Sequence, residues 1–146
     1  MKVSNEIINI FPEIKKWRHE LHAHPELGYE EEWTSNFVAE KLESFGLEIH
    51  RGIAKTGVVG VLKGANASLG GGGNKAIGLR ADMDALPMTE ENDFSYKSKF
   101  DGRMHACGHD GHTAMLLGAA KLLSSKKDFD GTVYFIFQPA EEGGGG

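Results

Sequence analysis

The sequence contains a single cysteine. One thiol cannot close an internal disulfide, and it cannot supply the second cysteine pair that a zinc finger needs. The expectation is a reducing, cytoplasmic setting. Long apolar runs are also missing: no stretch approaches the roughly twenty residues of a membrane span, so no membrane partner is expected. The opening segment, MKVSNEIINIFPEIKKW, is amphipathic and carries acids, unlike a signal peptide. Positive charge is in short supply too. A net charge of −5 and a pI near 5.8 argue against a nucleic-acid partner, which calls for a basic face. There is no glycine-rich phosphate loop with its Lys and Ser/Thr, so a magnesium phosphotransferase finds no support. The GGGG at 70–73 lacks those companions and reads as spacer.

What is present is an ordinary globular composition. Hydrophobic residues make up 40% and charged residues 25% of 146 positions, enough for one domain with a core. Ile7, Ile10, Phe11, Ile14, Trp17 and Leu21 recur at helical spacing and predict a helix over 5–23, weakened or kinked by Pro12. HAHPELGYEEE follows as a turn, with Pro25 breaking the helix and Gly28 allowing a bend. A second helix is predicted from about Glu31 to Phe45, with Gly46 as its stop. Trp17 and Trp33, at helical spacing within their helices, are assigned to core packing. LEIHR and TGVVGVLKG predict two strands, and residues 64–75 a flexible turn or hairpin loop. AIGLRAD at 76–82 is a candidate buried strand ending in acids, and 88–103 predicts loop. A helix over 112–124 follows, with Asp110 as its candidate cap. GTVYFIFQ at 131–138 predicts a buried strand. Strands alternating with helices define an α/β fold with at least partly parallel pairing. In such sheets the site lies beyond the carboxyl ends of the strands.

Three motifs carry chemistry. In HACGHDGH, Cys107 and His109 are separated by one residue in a glycine-containing loop before a helix. Thiolate and imidazole are both good ligands for zinc and its neighbours. Gly108 and Gly111 give the backbone freedom to aim both at one ion. His105 and His112 are candidate supporting or substrate contacts. In PAEE, two acids leave a buried strand together. In a metallohydrolase one such carboxylate ligates the ion while its neighbour moves the proton. In DMD, Asp82 and Asp84 lie two apart and share a face of extended chain. Cys107 with a nearby histidine also allows a cysteine-hydrolase pair, which leaves the acid pair idle.

The segments WRHELHAHPELGYEE, TGVVGVLKG, IGLRADMDALPM, MHACGHDGHTAMLLGAAKLL and GTVYFIFQPAEEGGGG resemble the metal-dependent amidohydrolases of the aminoacylase and carboxypeptidase kind. The branch they resemble holds hippurate hydrolase, indole-acetyl-amino-acid hydrolase and N-acetyldiaminopimelate deacetylase. The resemblance implies a zinc-peptidase-like catalytic domain with a mixed, partly parallel sheet flanked by helices. It implies hydrolysis of a small-molecule N-acyl amino acid with one or two divalent ions: zinc, manganese, cobalt or nickel. Cys107, as bridging ligand, His109 and Glu142 match metal ligands, and Glu141 matches the general base. Asp82 is preferred as the active-site aspartate, with Asp84 close behind. Family members are longer: they add histidine ligands downstream and a smaller domain that pairs subunits. The expectation is therefore that 1–146 is a partial catalytic domain, without the dimerisation domain and the second half of the catalytic domain. The complete protein is expected to be a homo-oligomer. The alternative is a catalytically inactive, aggregation-prone fragment with at most weak metal binding.

Overall fold

The computed structural model describes residues 3–65 and 75–146. The GGGG at 70–73 and most of the hairpin loop expected over 64–75 lie outside the described residues. The chain forms α1 (Asn5–His22), α2 (Glu32–Ser44), β1 (Glu48–Ile53), β2 (Gly57–Lys63), β3 (Ala76–Asp82), α3 (His109–Lys126) and β4 (Thr132–Gln138). The element order is the one the sequence predicts. The four strands form one sheet in the order β1-β2-β4-β3. β1 and β2 pair antiparallel, as do β2 and β4, whereas β3 and β4 run parallel.

Side-chain alternation sorts the sheet faces. In the β2–β4 register, Val58, Gly60 and Leu62 stand opposite Phe137, Phe135 and Val133, and all six lie on one face. There the apolar members join Trp17 and Leu21 of α1, Val38 and Leu42 of α2, and Leu117 of α3 in one core cluster. The three helices thus cover a single face. β4 is correspondingly half-buried rather than buried throughout: Tyr134 and Ile136, on its other face, are 39% and 37% exposed. β3, expected to be buried, is an edge strand, largely exposed apart from half-buried Leu79 and the covered Ala81 and Asp82 at its end. Pro12 lies inside α1, which runs through it. The apolar stripe of α1 is buried only in its second half: Phe11 is exposed while Trp17 and Leu21 are covered.

Asp110 does not cap α3. The helix begins one residue earlier, after Gly108, whose φ of +106 lies where a side chain is strained. Asp110 sits in the first turn and turns its carboxylate into a buried ionic cluster. Its Oδ2 accepts from Arg18 Nε at 3.1 Å and lies 2.8 Å from His22 Nδ1. The other His22 ring nitrogen is 3.0 Å from Glu90 Oε1. Glu90 in turn accepts the Ser98 N–H at 2.6 Å, so the cluster fastens the 88–103 loop to α1 and α3.

With a carboxylate on each ring nitrogen, His22 is held as the imidazolium. The Asp110 hydrogen bond raises its pKa above the ordinary 6.5; burial opposes this, and Glu90 adds to it. Burial pushes Asp110 and Glu90 up. The His22 bond on Asp110, and the Ser98 N–H on Glu90, outweigh burial and leave both carboxyls below their usual range. The signs then follow. A raised histidine stabilises fully below about 6.5 and ceases to do so as pH rises through its folded value. The lowered carboxyls stabilise above roughly 4.5 and cease to do so as pH falls. The cluster is strongest between those limits. His22→Leu at pH 6 leaves buried charge unpaired and is expected to cost about 3–5 kcal/mol. The deficit should shrink at pH 9 to the extent that the rise in pH passes through the raised folded pKa of His22 and removes its charge. Thermal unfolding of both chains at the two pH values checks it; an equal deficit at both means that charge is not what His22 contributes.

Candidate metal centre

Parallel pairing brings two chain exits to one sheet edge. Asp82 at the end of β3 stands beside Gln138 at the end of β4, and Met83 N–H continues the ladder to Gln138 O at 3.0 Å. DMD and PAEE therefore leave the sheet side by side. The third motif arrives by a closed excursion. Leu86 and Met104 exchange backbone hydrogen bonds at 3.0 and 3.1 Å, which pinches the base of the 88–103 loop and returns the chain next to Asp84. Gly108 then turns it into α3. Thr113 Oγ1 donates to Asp82 O at 2.9 Å, pinning the helix start to the strand end.

The candidate residues converge here. A Cys107 sulfur, a His109 ring nitrogen and a Glu142 oxygen all lie within 4.8 Å of one another. Asp82, His109 and His112 form a second such group, so His109 belongs to both. His109 Nδ1 is 2.8 Å from the Asp84 carbonyl and donates to it, which leaves the lone pair on Nε2. Around Nε2 stand Asp82 Oδ1 at 3.6 Å and Glu141 Oε2 and Glu142 Oε1 at 3.7 Å each. These separations are too long for hydrogen bonds.

The two aspartates separate by partner. Asp82 bonds His112 Nδ1 at 2.5 Å and pairs with Arg80 at 3.3 Å. Burial pushes its carboxyl up; the His112 bond and the nearby His109 outweigh that and hold it below the usual range. Asp84 lies under His109, with Oδ1 3.2 Å from Nδ1, and its Oδ2 accepts the Glu142 N–H at 2.9 Å. His105 is buried, its ring nitrogens have no partner among the described residues, and burial pushes its pKa down to about 4.

The donor set fits a divalent cation. A thiol, an imidazole lone pair and the carboxylates of Asp82, Glu141 and Glu142 face one small region, and Arg80 pairs with Asp82 at its edge. Like charges so close are unfavourable until a cation sits among them. The cysteine-hydrolase reading fares worse. Hydrogen bonding to Glu142 first, then burial and the charges of Glu142, Glu141 and Asp82, raise the Cys107 thiol, the opposite of what a nucleophile requires.

Comparison with known proteins falls on the same residues. Residues 78–146 match the model of peptidase family M20/M25/M40. The Bacillus subtilis YXEP protein, a dinuclear metal binding peptidase from the M20 family, superposes with a TM-score of 0.84 at 42% identity, over 92% of this chain and 37% of that one. A hippurate hydrolase of Campylobacter jejuni is 53% identical over 100% of this chain and 36% of its own length. An N-acyl-L-amino acid amidohydrolase of Geobacillus stearothermophilus is 50% identical over 94% of this chain and 37% of its own length. The chain is thus similar to M20 family peptidases, and it spans little more than a third of these relatives. No helix among the described residues is long and apolar enough to cross a membrane.

Sequence reasoning missed the partners that hold these motifs in place. Glu26, Glu31 and His22 lie in or beside the segment assigned to a turn, and each bonds a group far along the chain or at a helix end. The available signal was the density of acids in PELGYEEE, which solubility alone leaves unexplained.

Proposed function

We propose that these residues serve metal-dependent hydrolysis of the amide bond of N-acyl amino acids, in a protein of which this chain forms part. The observation that carries the reading is the convergence of Cys107, His109 and Glu142, with Glu141 beside them. Cys107, His109 and Glu142 would hold a cation, and the single Nε2 lone pair of His109 can serve one ion of the two donor groups at a time. A divalent cation held there, whether zinc, manganese, cobalt or nickel, would polarise the scissile carbonyl and ease deprotonation of water. Glu141 takes the proton of the attacking water and returns it to the leaving amine. We assign the orientation of His109 to Asp84, which holds its Nδ1, in preference to Asp82, whose carboxylate is engaged by His112. The names of the relatives support an N-acyl amino acid substrate.

A second reading, an inactive fragment, is favoured by the exposed edge at β3, where Ile77 is 57% exposed. One assay separates the two. The purified chain is offered N-benzoyl and N-acetyl amino acids with added zinc or manganese. Turnover that a chelator abolishes and the metal restores supports the enzyme reading of the chain itself. Turnover indifferent to chelator sinks the metal mechanism. No turnover in a folded, metal-loaded chain assigns the activity to a longer protein.

A further inference from the structure

The PELGYEE turn has no task in the chemistry above, yet its glutamates bond groups far along the chain. Glu31 is fully buried at 0% exposure, although it opens α2 and makes no side-chain cap there. Both of its carboxyl oxygens act as acceptors. Oε2 takes the Thr56 hydroxyl at 2.6 Å, and Oε1 takes the backbone N–H of Ala140 at 2.8 Å. The capping duty falls to Glu26, whose carboxyl accepts the N–H groups of Trp33 and Thr34 at 2.9 and 2.8 Å and the Thr34 hydroxyl at 2.8 Å. The Glu26 carbonyl accepts the Ala85 N–H at 2.8 Å, so the same turn also grips the chain after Asp84.

Ala140 is the residue just before the acid pair. Its φ is +52, a conformation that side chains rarely adopt, and it is buried at 1% exposure. Such a residue persists where its surroundings over-determine it. Two contacts from the turn do so: the Glu31 acceptor on its N–H, and Gly28, where a Cβ would stand 3.0 Å from the Ala140 Cα and Cβ. Two residues on, the Glu142 N–H is held by Asp84.

We infer that Glu31 is a positioning residue for the Glu141–Glu142 pair, acting through the Ala140 N–H to fix the left-handed step that aims both carboxylates at the metal centre. The inference rests on the roles assigned above to Glu141 and Glu142. It predicts that an acceptor at position 31, rather than bulk, sets the geometry of the acid pair.

The test compares Glu31→Met, which fills similar space and accepts nothing, with Glu31→Gln, whose amide oxygen still accepts. Amide hydrogen exchange is read by NMR at Ala140 and Glu142, with Phe135 and Leu117 as core references, and cobalt(II) affinity is measured alongside. With Met, exchange at Ala140 and Glu142 should rise selectively over the references, and cobalt affinity should fall about 10–100-fold, the usual effect of losing a group that supports a ligand. Gln should restore both. Exchange that rises equally at all four amides marks Glu31 as merely structural and overturns the inference. So does unchanged exchange at Glu142. If the Met chain does not fold, Thr56→Val, which removes the carboxyl's other tether, stands in: selective loosening of Ala140 and Glu142 supports the inference and its absence overturns it. Glu142→Ala is the separate control. Unaltered cobalt affinity there sinks the ligand assignment, while the exchange pattern still decides the role of Glu31.

Discussion

Cys107→Ala and His109→Ala should each lower the zinc affinity of the chain by more than the roughly 10–100-fold that loss of a supporting partner causes. The reasoning is geometric. Among the described residues, one group of donors combines a thiol, an imidazole and a carboxylate within 4.8 Å, and both residues belong to it. Removing Cys107 takes away the soft ligand and leaves oxygen-rich surroundings. Removing His109 takes away the donor common to both groups. Asp84→Asn keeps the carbonyl that fixes His109 Nδ1 but weakens the grip on the Glu142 N–H, so its effect should stay within the 10–100-fold range. Competition against a chromophoric chelator, under reducing and anaerobic conditions, measures all three. Alanine variants that bind zinc as the unsubstituted chain does place the ion somewhere else. An Asp84→Asn loss as deep as that of Cys107→Ala means that Asp84 is itself a ligand.

The contrast between ligands and their supports also separates what the sequence disclosed from what it concealed. The three motifs were legible because their chemistry is local. Cys107 and His109 are two residues apart, Glu141 and Glu142 adjacent, and the strands that deliver them carry their own β-branched and aromatic signature. Element order followed from periodicity for the same reason. The supports were not legible because they are long-range. His22 meets Asp110 across 88 positions, and Glu31 meets Ala140 across 109. No local pattern announces either. Asp110 was assigned to a cap because an acid at a helix start ordinarily finds free N–H groups; a buried imidazolium competes better for it. Asp82 and Asp84 stayed unresolved because spacing gives them one face, whereas their partners, His112 and His109, are set by how α3 docks against β3. Strand burial failed likewise. AIGLRAD is apolar enough for a sheet interior, but its place at an edge depends on which strands pair, and pairing order is a property of the whole sheet.

Glu141→Gln is expected to leave metal binding intact and to remove amide hydrolysis, by about 10²–10⁴-fold, in a protein that carries this chain and shows chelator-sensitive turnover. The two glutamates differ in engagement. Glu142 shares a group of close donor atoms with Cys107 and His109, its backbone is held by Asp84, and its side chain is 26% exposed. Glu141 belongs to neither group, and its side chain is 40% exposed beside the same centre. A carboxylate near the cation but outside the ligand groups can shuttle protons; one that is coordinated has its lone pair committed. Glutamine preserves the shape of residue 141 and removes its basicity, so kcat should fall while zinc affinity and KM hold. Glu142→Gln should show the reverse order, with metal lost first and activity lost as a consequence. Titrating each variant with zinc distinguishes them, because excess metal should recover activity in part for position 142 and not for position 141. If excess zinc revives Glu141→Gln, the roles of the two glutamates are exchanged, and the proton carrier is the one anchored to Asp84.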